Sequence, residues 1–155
     1  MSKLIVVTFL IFFVGSVFGQ EDENVKEIDY CGKKFNVPDN CTARSAYELS
    51  CNDYVIQWLY MNEQMLQTMP AQFINQLKNK VKKMKKEPVQ CVSMGYPLEG
   101  YKITYKNKRQ PLYKIIAYGP VNGQPVMILL TMEKDPVSNE QLPEFVRQII
   151  QLEGI

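Results

Sequence analysis

Four cysteines, Cys31, Cys41, Cys51 and Cys91, are the residues of this chain best suited to bond-forming chemistry. Thiols can ligate zinc, cycle as a redox pair or close structural disulfides. Zinc sites usually take cysteines in close pairs, whereas here the first three stand ten residues apart, and no C-x-x-C motif occurs. Two structural disulfides are the expectation. Four cysteines allow three pairings. The turn-forming Pro38-Asp39-Asn40 between the first two favours Cys31–Cys41, which leaves Cys51–Cys91.

The chain has no histidine. That removes the Ser-His-Asp and Cys-His constellations and the usual general base near neutral pH. No G-x-S-x-G, phosphate-cradling glycine loop or dinucleotide fingerprint occurs either. No catalytic residue, cofactor or metal ligand is therefore assigned from sequence. The best carboxylate pair is Glu133 and Asp135, two residues apart beyond an apolar strand, a spacing that suits a hard cation or acid–base work. The same pair also reads as a solvated strand end turning at Asp135-Pro136.

Two other clusters suit binding. On a helix, Lys78, Lys82, Lys85 and Lys86 fall within about 100° of one another, a patch for an acidic protein or another anionic ligand. Lysines closing a helix also suit its dipole and its solvated face. Among nine tyrosines, Tyr101, Tyr105 and Tyr113 sit in strand-like segments where alternate side chains could line an aromatic binding face. Nucleic acid is excluded as a partner, because 18 basic residues against 16 acidic ones leave no basic domain.

The segments that carry these residues begin after an export signal. Lys3, the apolar run Leu4–Val14 and the small residues before Gln20 have the layout of a secretory signal peptide spanning residues 1–19. The apolar core is shorter than the roughly 20 residues of a bilayer-spanning helix, so no stable membrane span is expected after processing. Cleavage leaves 136 residues, enough for one domain, secreted or periplasmic. Residues 20–29 read as an acidic leader, and 30–155 as the domain. Asn40-Cys41-Thr42 matches the glycosylation acceptor pattern, which a bonded Cys41 would obstruct.

Within the domain, Tyr30–Val37 reads as a strand or hairpin arm, and Tyr54–Tyr60 as a buried strand. Leu66, Phe73, Ile74, Leu77, Val81 and Met84 share one arc of a helix over 64–86, whose regular part is expected to start near Pro70. Val89–Met94, the alternating Tyr101-Lys102-Ile103-Thr104-Tyr105, Leu112–Tyr118 and Val126–Met132 read as four further strands. Asn122-Gly123 predicts a hairpin pairing Tyr118 with Met127, Ile116 with Leu129 and Lys114 with Thr131. Pro120 and Pro125 would face each other, which suggests a longer loop from Gly119 to Pro125. Val126–Leu130, apolar on both faces, marks the central strand. Ser138 reads as the cap of a closing helix carrying Leu142, Phe145, Val146, Ile149 and Ile150. The fold class is α+β: a mainly antiparallel sheet, a long mid-chain helix, a C-terminal helix and two disulfides.

This order of elements resembles the PsbP/Mog1/DcrB-like domains. The likeness is carried by Phe35-Asn36-Val37-Pro38, Gly100-Tyr101-Lys102-Ile103 and the closing stretch Ile128–Ile150. It is a likeness of layout and implies an accessory or binding protein rather than a particular enzyme. The functional expectation is an exported, non-catalytic binding protein with a protein or anionic ligand at the lysine-rich helix end. The alternatives are a histidine-free hydrolase or cation-dependent enzyme using Glu133 and Asp135, and a toxin-neutralising or inhibitor protein.

Overall fold

A computed structural model of the chain describes residues 25–153. The expected signal peptide lies outside the described residues. An eight-stranded antiparallel sheet forms the middle layer, in the spatial order β10-β6-β7-β8-β9-β5-β4-β3. Its strands are β3 (Cys41–Ser45), β4 (Glu48–Cys51), β5 (Tyr54–Tyr60), β6 (Lys85–Ser93), β7 (Tyr96–Asn107), β8 (Gln110–Val121), β9 (Gln124–Met132) and β10 (Gln151–Glu153). A separate hairpin of β1 (Glu27–Tyr30) and β2 (Lys33–Asn36) packs on one face, beside the short helix α2 (Glu144–Ile149). Helix α1 (Glu63–Lys80) covers part of the other face.

Side-chain alternation builds both cores. In β9, Val126, Ile128 and Leu130 pack toward the hairpin and α2, while Met127 and Leu129 pack toward α1. All five are buried, which confirms this strand as covered on both sides. The core beneath the hairpin includes Tyr30, Trp58, Ile115, Phe145 and Ile149. Its only buried polar residue among those described is Ser93, whose Oγ donates to the Ile149 carbonyl at 2.7 Å and lies 2.8 Å from the Tyr30 hydroxyl. Gly100 lies where β7 and β8 press together, and a Cβ there would stand 2.8 Å from the Ile116 carbonyl oxygen.

Four hairpins turn through two residues with positive φ: Cys31-Gly32, Met94-Gly95, Lys108-Arg109 and Asn122-Gly123. Such turns match the right-handed twist of the flanking strands. At Asn122-Gly123 the register is the one expected, with Tyr118 opposite Met127, Ile116 opposite Leu129 and Lys114 opposite Thr131. The longer loop does not form. Pro120 faces Pro125, and pairing still continues to Val121 and Gln124.

Helix α1 starts earlier and ends earlier than its periodicity predicts. Asn62 caps it by accepting from the Met65 N–H at 2.8 Å, and Pro70 lies inside it. It ends at Lys80, with the Val81 N–H donating to the Leu77 carbonyl. The chain then leaves the helix, because residues from Lys85 onward pair with Thr104 and its neighbours along β7. The closing helix is likewise shorter than expected. A 3-10 turn (Asn139–Gln141) precedes α2, no Ser138 side-chain cap forms, and Gln151–Glu153 leave as a strand along β6. The leader gives way to structure before residue 30, since β1 begins at Glu27 with Ile28 buried.

The disulfide expectation is corrected. One bridge is present, Cys41–Cys51, joining residues directly opposite each other in the β3–β4 hairpin with Cα atoms 4.1 Å apart. Cys51–Cys91 is ruled out by topology: β7, β8, β9 and β5 separate β4 from β6, roughly 24 Å at about 4.8 Å per strand. A bridge needs Cα atoms within about 7 Å. Cys31 sits in the β1–β2 turn, and both Cys31 and Cys91 are free and buried. Burial pushes the Cys91 thiol up to about 12 and also raises Cys31. Burial thus disfavours the reactive thiolate form of both thiols.

Candidate functional site

Six basic residues gather where the end of α1 meets the tip of the β7–β8 hairpin. Lys80, Lys82 and Lys83 come from the helix end and the segment after it, and Lys106, Lys108 and Arg109 from the hairpin. Together they line a groove of about 440 Å³, with Val81, Tyr105 and Asn107 between them. Among the described residues none of the six cations is ion-paired, and no carboxylate lines the groove. Partial burial raises the Tyr105 phenol, which keeps that side chain neutral beside the cations.

The backbone of this site is unusual in one respect. In the other three turns with positive φ at both residues the second position is glycine, which adopts positive φ without steric cost. Here it is Arg109, at φ 70°, preceded by Lys108 at φ 48°. Lys83, across the groove, also has positive φ, at 56°. Side-chain-bearing residues cost about 1 kcal/mol or more in this region, and strain of that kind gathers at functional sites. Charge is present at the tip despite a conformational cost that Asn-Gly would avoid.

Only Lys82 of the expected lysine patch lines this groove. Lys78 lies in the last turn of α1, whereas Lys85 and Lys86 belong to β6. Lys85 is paired with Glu87 at 3.0 Å, and the Lys86 ammonium lies 4.7 Å from the centre of the Tyr101 ring. The helix on which the four lysines were to align stops before three of them. Lys106, Lys108 and Arg109 were missed, although the run Lys-Asn-Lys-Arg between two strands was a readable signal of a charged turn.

The tyrosines do not form one face. Tyr101 and Tyr105 project toward α1, where they pack against its core. Tyr113 lies opposite Thr104 and Met132 on the other side of the sheet, in step with buried Ile115 and Ala117. Asp135 accepts from the Lys102 ammonium at 2.8 Å, and the Glu133 N–H donates to the Asp53 carbonyl. No group of three His, Cys, Asp or Glu side chains that could hold a metal ion occurs among the described residues.

A second concavity lies on the α1 face of the sheet, toward β5 and β4. It is a mainly apolar groove of about 600 Å³, between Met69 and Phe73 of α1 and Leu59, Met127 and Leu129 of the sheet, with Tyr47 at its rim. Sequence patterning gave no sign of it, because it exists only where α1 fails to cover the outer strands.

These features define an α+β domain with a three-layered core, one disulfide, a cationic end and an apolar groove. No protein-family model matches the chain, and no curated protein matches it. Among the described residues no helix is long and apolar enough to cross a membrane.

Proposed function

We propose that the chain is an exported, non-catalytic binding protein that captures an extended polyanion, such as a sulfated or phosphorylated glycan, at its cationic end. The observation that carries this reading is the set of six cations, unpaired among the described residues, brought to one groove from two separate segments. An extended ligand suits them better than a compact anion, because the charges line two banks rather than converge on a point. The Cys41–Cys51 disulfide supports an oxidising compartment. The layout-level likeness to PsbP/Mog1/DcrB-like domains points to the same accessory class. An enzyme built on Glu133 and Asp135 has less support, since Asp135 already neutralises Lys102.

The test is calorimetric titration with heparin as a polyanion probe, at several salt concentrations. Replacing Lys82, Lys83 and Lys108 together by Glu should weaken binding at least about a hundredfold, given roughly 1 kcal/mol for each exposed charge contact. Replacing Lys85 and Lys86 by Glu should have a much smaller effect, since these lie outside the groove. Equal losses in both variants, or undiminished binding in the first, would defeat the assignment. Affinity should also fall as salt screens the exposed charges.

A further inference from the structure

Beside Phe73, one wall of the apolar groove, stands a half-buried cation, Lys114, that no carboxylate neutralises among the described residues. Lys114 and Thr131 form a pair across β8 and β9, on the face that α1 covers. They lie one same-face step along the sheet, roughly 7 Å, beyond the row of Ile116 and Leu129. Leu129 lines the groove, as does Phe73, whose ring centre is 6.0 Å from the Lys114 ammonium. The ammonium donates to the Thr131 hydroxyl at 2.6 Å and has no carboxylate partner among the described residues. The one carboxylate lining the groove, Glu48, stands on the far bank and is engaged by the Gln57 amide at 2.6 Å and by Arg44 at 3.6 Å.

A half-buried lysine is costly without a counter-charge, and burial lowers the Lys114 pKa. A single hydroxyl answers one of its three donors. The groove volume is within the roughly 300–1,000 Å³ of small-molecule sites, and the walls are methionine, leucine and aromatic side chains. Methionines such as Met69 and Met127 suit an irregular, flexible apolar guest. An apolar body ending in one negative charge matches both features: the walls take the body, and Lys114 takes the charge.

We infer that this groove binds a single-chain anionic amphiphile, a long-chain carboxylate, with its tail between Met69 and Leu59 and its head against the Lys114 ammonium. The site is separate from the cationic groove and does not depend on the polyanion reading. Leu59 and Tyr47, both substantially exposed large apolar residues, form its mouth.

The experiment is calorimetric titration of the full chain with dodecanoate and with dodecanol, below the concentrations at which either aggregates. Dodecanoate should bind one to one, at least about tenfold more tightly than the neutral alcohol, as expected for one charge-assisted hydrogen bond. Lys114→Met should erase that preference, and Lys114→Arg should retain it. Leu59→Glu alters an exposed residue, so the fold is kept, and it should weaken both ligands by placing a carboxylate at the mouth. The variant carrying Glu at 82, 83 and 108 should bind dodecanoate as the natural chain does. The inference is overturned if dodecanoate binding does not saturate, or if folded Lys114→Met binds it unchanged. It is also overturned if Leu59→Glu leaves binding intact, or if the 82, 83 and 108 substitutions abolish it, which would place the amphiphile at the cationic end.

Discussion

Ser93 ties three parts of the molecule together through one oxygen. Its hydroxyl proton goes to the Ile149 carbonyl at the end of α2, so the Tyr30 hydroxyl is the donor in the 2.8 Å bond from the hairpin. Both partners are buried, and water cannot replace a lost bond cheaply. Ser93→Ala should therefore destabilise the fold by about 3 kcal/mol, because it leaves a buried donor and a buried acceptor unanswered. Tyr30→Phe removes only the donor, leaves Ser93 bonded to Ile149, and should cost about 1 kcal/mol. Urea unfolding of the two variants reads this difference directly. Equal losses would mean that the hydroxyls are not linked as described. Thiol chemistry at this scale is quiet, since Cys31 and Cys91 are held protonated by burial.

At the scale of elements, the β7–β8 turn separates what the fold prefers from what the site requires. Changing Lys108-Arg109 to Asn-Gly supplies the residues that positive φ favours, and should stabilise the domain by about 1 kcal/mol. The same change removes two cations from the groove and should weaken heparin binding about tenfold or more. Urea midpoints and calorimetry on one double variant test both signs. A variant that gained neither stability nor lost affinity would show that the turn serves neither end. Legibility also divides along the elements. The register of the Asn122-Gly123 hairpin could be read from sequence, because turn chemistry and alternation agree there, but the facing Pro120 and Pro125 suggested a longer loop than the two-residue turn that forms. The end of α1 could not, because lysine and methionine favour helices and Val81 and Met84 keep the helical period. Pairing of Lys85 and its followers with β7 overrode that local preference. The Cys41–Cys51 bridge was hidden for a different reason: β3 is short, polar and carries a register shift between Ala43 and Ser45, so no strand pattern announced the hairpin. A groove bounded by what α1 leaves uncovered has no sequence signature at all.

At the scale of the whole molecule, both cores share the one sheet, and this links their titration. Cys91 and Tyr54 belong to the core under the hairpin, while Tyr118 packs on the α1 side. Burial raises the Cys91 thiol from an ordinary 9.0 to about 12, and the Tyr54 and Tyr118 phenols from 10.0 to about 12. The unfolded chain, with ordinary values, releases these protons first as pH rises. Each group thus favours the folded state fully below its unfolded value, and that contribution is lost between about 9 and 12. The contribution of these three groups to the urea midpoint should be level below pH of about 9, then fall, and Cys91→Ala should flatten the first part of that fall. Because neither core can lose its sheet without exposing the other, the buried phenols of Tyr54 and Tyr118, one on each face, should ionise together with the loss of far-ultraviolet ellipticity, in one transition. Ionisation of Tyr54 or Tyr118 while ellipticity is intact, read as the absorbance difference between the chain and its Tyr54→Phe or Tyr118→Phe variant, would show that one layer opens alone, and that the sheet does not bind the two cores into a single cooperative unit.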